Sequence, residues 1–130
     1  MAVRKDATAP AAKSLGEVLQ KFLEIKGVVS AIVVGNDGFV IESAGGERAS
    51  LVEMDALGAS VATMASAIQT MGNELEVEAF EDLYIQFGRA VIVALSIGDA
   101  VLALVSPDAS TLGIIRFNAK KLMPELQAFL

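Results

Sequence analysis

Residues 56–73, ALGASVATMASAIQTMGN, run without a single charged side chain. Taken with Met54 just before it, the stretch sets Met54, Leu57, Val61, Met64, Ile68 and Met71 at alternating intervals of three and four. That period lines up one face of an α-helix. A helix resting on a sheet needs one such stripe. The opposite side carries Ala59, Ala62 and Ser66, with Gly58 and Ala65 nearby, small and uncharged where a solvated face shows Lys and Glu. The sequence therefore predicts a long helix covered on two sides, on its own sheet through the apolar stripe and on another chain through the small residues. The alternative is the central helix of a purely monomeric core.

The flanks supply the rest of a sheet. Ser50-Leu51-Val52-Glu53 reads as a capping box that opens the long helix, and Gly72-Asn73 as its stop. Upstream, Ser14 with Glu17 caps a first helix whose face is Leu15, Val18, Leu19, Phe22 and Leu23, and Gly27 ends it. The β-branched run 28–34, the turn Gly35-Asn36-Asp37-Gly38 and the run FVIESA form a hairpin signal, with Gly45-Gly46 after the second strand. Downstream, 75–87 reads as one long or bulged strand broken near Glu81-Asp82. Strands at 90–97 and 100–105 follow, joined by a tight turn at Gly98-Asp99. A last helix starts near Ser110 on Leu112, Ile115, Ala119, Leu122 and Leu126, with a kink or restart expected at Pro124.

The order is α-β-β-α-β-β-β-α. It predicts an α/β (α+β) sandwich: a five-stranded antiparallel sheet, one long helix on one face and the two terminal helices on the other. Residues 1–13 are expected to be a flexible arm and 14–130 a single domain. The 75–87 strand is the expected edge. Its alternating Glu74, Glu76 and Glu78 leave two readings, protection of a free edge or self-pairing across a two-fold axis that sets two long helices side by side.

Composition narrows the function. The 130 residues contain no cysteine and no histidine, which removes disulfides, thiolate chemistry and the usual zinc and acid–base machinery. A formal charge of −6 argues against nucleic acid and anionic lipid as general partners. No apolar run is long enough to cross a membrane, and the lack of cysteine makes a cytoplasmic setting the expectation. Gly35-Asn36-Asp37-Gly38 leads into a strand and lacks the Lys-Ser/Thr of a phosphate loop. The acidic cluster Glu74, Glu76, Glu78, Glu81 and Asp82 fits no calcium-loop spacing and reads as a solvated face. Asp37, Asp99 and Asp108 sit at turns, and Arg48, Arg89 and Arg116 are scattered. No catalytic, cofactor or metal residues are expected. Tyr84, alternating with Leu83 and Ile85, is expected to pack in the core or an interface.

In this order and spacing, Gly27-Val28-Val29-Ser30-Ala31-Ile32-Val33-Val34, Asp37-Gly38-Phe39-Val40-Ile41, the long helix, Gly98-Asp99-Ala100-Val101-Leu102-Ala103-Leu104-Val105 and Leu112-Gly113-Ile114-Ile115-Arg116 resemble the roadblock family of dynein light chains and small-GTPase regulators. The last motif usually begins with Asn where this chain has Thr111. The resemblance spans about 14–129. It implies a non-enzymatic homodimer whose edge strands join two sheets, with the paired long helices as a platform for a Ras-like small GTPase. Carried onto this chain, it implies a dimer interface at Ala59, Ala62, Ser66, Leu83, Tyr84 and Ile85, and partner-binding positions at Thr63, Met64, Thr70 and Met71. Two rivals are a scaffold subunit of a motor or signalling complex that touches no GTPase, and an enzyme or small-ligand sensor of profilin-like fold.

Overall fold

A computed structural model describes residues 13–45 and 54–130. The elements are α1 (Leu15–Leu23), β1 (Ser30–Gly35), β2 (Val40–Gly45), α2 (Met54–Leu75), β3 (Asp82–Phe87), β4 (Ala90–Ile97), β5 (Ala100–Ser106) and α3 (Leu112–Gln127), the last entered through a 3-10 turn at Ala109–Thr111. All strand pairs are antiparallel, and the sheet order is β2-β1-β5-β4-β3. This is the expected architecture. The arm at 1–12, the capping box at 50–53, Gly46 and Arg48 lie outside the described residues.

Strands β1 and β5 are buried on both faces because helices cover both. Beneath α1 and α3, Phe22, Leu19, Leu102, Leu104, Ile115 and Leu126 are wholly enclosed. Each such side chain contributes roughly 2–3 kcal/mol of burial. Ser14 accepts the amide of Glu17 at 3.2 Å, as the capping box predicts, while the Glu17 carboxylate reaches back to the Lys13 amide at 2.9 Å. Gly27 has φ of 95°, and a Cβ there would stand 2.6 Å from Thr111 Oγ1. The position thus demands both glycine's backbone freedom and its lack of a side chain. Thr111 itself is buried, donating to the Asp108 carbonyl and meeting Ser106 Oγ.

Three expectations are corrected. The long helix does not stop at Gly72-Asn73. It continues to Leu75 and closes where Glu76 turns left-handed at φ of 58°, with the Val77 amide on the Gly72 carbonyl and the Glu76 amide on that of Asn73. This is a Schellman closure with a non-glycine residue at its turning point. The predicted strand at 75–87 is therefore strand only from Asp82, because its first part belongs to the helix end and the linking segment. Finally, of the kink or restart expected at Pro124 the restart does not occur: α3 runs as one helix through it to Gln127.

Candidate functional site

Helix α2 lies on the sheet through residues smaller than its apolar stripe suggested. Its buried residues are Gly58, Val61, Ala62 and Ala65, set against Ile32, Val34, Val101 and Ala103. A Cβ on Gly58 would come within 2.7 Å of Val40 Cγ2, so the helix rides low over β1 and β2. Small residues on the helix accept β-branched ones from the strands, so helix and sheet approach closely. This corrects the outward placement of Ala62, which faces the sheet. It also turns part of the apolar stripe out: Met64 and Ile68 are half-buried, and Met71 is 52% exposed.

The remaining outward positions stand where they were expected. Ala59, Thr63, Ser66 and Thr70 are exposed on one flank of α2. The Thr63 hydroxyl donates to the Ala59 carbonyl at 3.0 Å and that of Thr70 to the Ser66 carbonyl at 3.1 Å. Both hydroxyl protons are thus used within the helix, which leaves the two threonine methyl groups as part of the exposed flank. Beside it the β1–β2 turn closes with Gly35 and Phe39 bonded, Gly38 at φ of 92°, and Phe39 largely exposed. A cleft runs between this turn and Ala59, Thr63 and Ser66.

The sheet ends in an open strand. Six residues of β3 pair with β4 in unbroken register, from Asp82 opposite Leu95 to Phe87 opposite Ala90. Leu83 and Ile85 stand opposite Ala94 and Ile92, and the first, with Ile92, packs against the cluster beneath α2. On that face α2 covers β1, β2 and β5, leaving Leu83 and Ile85 half-buried and Phe87 58% exposed. The described residues thus hold a strip of half-covered apolar side chains along an edge with unused backbone donors and acceptors.

Tyr84 points to the opposite face, against the cluster under α1 and α3. There α3 adds a group that the sequence did not single out. Arg116 Nε donates to the Tyr84 hydroxyl, and Lys120 Nζ lies 2.9 Å and Arg116 Nε 3.7 Å from Asp82 Oδ2. Burial works to raise the Asp82 carboxyl, but the adjacent Lys120 ammonium, the Tyr84 hydroxyl and the Arg116 charge outweigh it and hold it below the usual carboxylate range. Burial and the neighbouring Asp82 raise the Tyr84 hydroxyl. The only signal in the sequence was the i, i+4 spacing of Arg116 and Lys120, which puts two cations on one side of α3. No group of three or more acidic residues among the described ones is placed to hold a metal ion, and no described helix is long and apolar enough to cross a membrane. The arrangement offers a sheet edge, an apolar strip and a helix flank, which suit a protein partner.

Comparison with known proteins agrees with that geometry. MglB of Myxococcus xanthus superposes with a TM-score of 0.80 at 19% identity, over 88% of this chain and 92% of that one. The gliding protein MglB of Thermus thermophilus gives 0.79 at 26% identity, over 88% and 87%. The uncharacterized protein MJ0714 of Methanocaldococcus jannaschii is 24% identical over 114 residues, 88% of this chain and 94% of that protein. The Roadblock/LC7 domain profile matches residues 14–106, and the chain belongs to that family.

Proposed function

We propose that this protein is a non-enzymatic, cytoplasmic homodimer that binds a Ras-like small GTPase and modulates its hydrolysis of GTP. The observation that carries the reading is the open β3 edge beside half-covered Leu83 and Ile85. Two copies of such an edge satisfy each other's backbone groups by continuing the sheet, and the apolar strip is covered in the same step. Pairing there brings the two α2 helices toward one another on a shared face. The platform that results carries Ala59, Thr63, Ser66 and Thr70, with Met64 and Met71 at its margin. Ala62 packs against the sheet and lies at the floor of the cleft beside Ala59, Thr63 and Ser66. Membership of the Roadblock/LC7 family, taken with the resemblance to small-GTPase regulators, favours a GTPase over a motor subunit as the occupant. Such a regulator acts by shape and apolar area, so it needs no acid–base groups of its own.

The test is to mix the purified protein with a Ras-like GTPase from the same genome, loaded with a non-hydrolysable GTP analogue or with GDP, and measure both affinities. The GTP-like form is expected to bind at least about tenfold more tightly, a difference of about 1.4 kcal/mol. Equal affinity for the two forms, or no binding, would overturn the GTPase reading.

A further inference from the structure

The two helical layers carry different charges. Helix α2 and the segment that follows it to residue 81 hold Asp55, Glu74, Glu76, Glu78 and Glu81 and no Lys or Arg. Every Lys and Arg among the described residues lies instead in or beside α1 and α3 or in the β3–β4 turn. Helix α3 gathers three of them. From Leu112 to Met123 it has no acidic residue, and Arg116, Lys120 and Lys121 are exposed along it.

The same stretch exposes large apolar groups. Ile114 is 42% and Phe117 62% exposed, although α3 already has an inner face in Ile115, Ala119 and Leu126. Ile114, Phe117 and Lys121 follow at intervals of three and four, which sets them in one line over about 10 Å of helix. The Lys121 ammonium lies 4.6 Å from the centre of the Phe117 ring, so ring and charge form one unit. Among the described residues no carboxylate pairs with Lys121. Arg116 and Lys120 are held from behind. Asp82, at the start of β3, draws both, and the Tyr84 hydroxyl takes a hydrogen bond from Arg116 Nε. Side chains fixed in this way lose little further freedom when a ligand arrives.

We propose that this side of α3 is a second docking surface, and that its occupant is an acidic segment of a partner protein. Carboxylates of the segment meet Lys121 and the Nη groups of Arg116, and its apolar side chains cover Phe117 and Ile114. Charge selects this occupant over two others. Anionic lipid calls for a cluster of about four to eight cations, and two of the three here already share Asp82. Nucleic acid would meet an overall charge of −6. The carboxylates on and after α2 repel the same acidic segment, which directs it to α3 alone. The surface is independent of any GTPase on the flank of α2, because α2 and α3 pack on opposite faces of the sheet.

The experiment uses two fluorescein-labelled amphipathic peptides of Leu, Phe and Ala, one with Glu and the other with Lys at its polar positions. Their binding to the full-length wild type, Phe117→Ser, Lys121→Glu and Val77→Ser is followed by fluorescence anisotropy in about 100 mM salt. All three side chains are exposed, so the substitutions leave the fold intact. The Glu peptide is expected to bind the wild type at least about tenfold more tightly than the Lys peptide. Phe117→Ser and Lys121→Glu should each weaken it about 5- to 10-fold. Val77→Ser removes a comparably exposed apolar group beside α2 and should change the affinity less than about twofold. No preference for the Glu peptide, or an equal loss from Val77→Ser, overturns the proposal. Binding of phosphatidylserine vesicles or of a single-stranded oligonucleotide that Phe117→Ser abolishes also overturns it, and would assign the surface to a membrane or to nucleic acid.

Discussion

The two edges of this sheet are built differently. At β2 the register slips between Val33 and Val34: Val33 faces Glu42, Val34 faces Val40, and Ile41 is left as an extra residue. Helix α1 packs across β2 from one side and α2 from the other, where Gly58 lets it settle onto Val40. The Glu42 carboxylate folds back to the Ser43 amide at 3.0 Å. A bulge, two helices and an acidic side chain all discourage another strand from adding there. At β3 the described residues show no bulge and a helix on one side only: α3 lies behind the strand, and the strand's carboxylate, Asp82, is drawn to Lys120 and Arg116. The strand is regular, lightly covered and apolar on its α2 side. One sheet thus ends in a guarded margin and an extensible one, and in the proposed dimer this difference directs association to a single place and limits it to two copies.

Matched substitutions on the two edges break or sharpen this contrast. The largest effect is expected from Ile85→Lys, which sets a charge on the α2 face of the open edge and should raise the dimer dissociation constant about 100-fold or more by sedimentation. Ile41→Lys makes the same chemical change on the guarded edge and should leave the mass unchanged. The reverse result would move the interface to β2. Next, deletion of Ile41 removes the bulge and makes β2 regular, so species larger than a dimer should grow in light scattering over hours.

A smaller effect belongs to the ion cluster behind β3. The Asp82 carboxyl titrates lower in the folded protein than in the unfolded chain, so its contribution is complete above the unfolded value near 3.9 and is lost as pH falls through the folded one. Asp82→Asn should therefore lower stability at pH 7 by about 1 kcal/mol in denaturant titrations, with the two curves converging as the pH falls through the folded-state value. The smallest effect is at the end of α2. Glu76→Gly relieves a left-handed residue at the helix stop and should add about 0.5–1 kcal/mol, read as a higher unfolding midpoint.

The element order was readable because its signals are local. Ser14 with Glu17, the Asp37-Gly38 turn and the Gly98-Asp99 turn each act within a few residues, and each stands where the sequence set it. The end of α2 was hidden because a glutamate takes the turning position that glycine usually fills. The rotation of α2 was hidden for another reason. Periodicity marks Leu57, Met64 and Met71 as a hydrophobic face, but the layer against Ile32 and Val34 takes Gly58, Val61, Ala62 and Ala65, with Leu57 at its margin. Which of two apolar faces turns inward depends on the shape of the opposing strands, and that lies far away in the chain. The grouping of Asp82 and Tyr84 with Arg116 and Lys120 joins residues more than thirty positions apart, with only the cation spacing to hint at it.

Thr63 and Thr70 carry a thermodynamic corollary. Because both hydroxyls are already engaged by carbonyls one helical turn back, an incoming surface does not have to dislodge firmly held water from that flank of α2. Association there should draw on the release of loosely ordered solvent. Calorimetry would then register a pronounced negative heat-capacity change and little sensitivity to ionic strength.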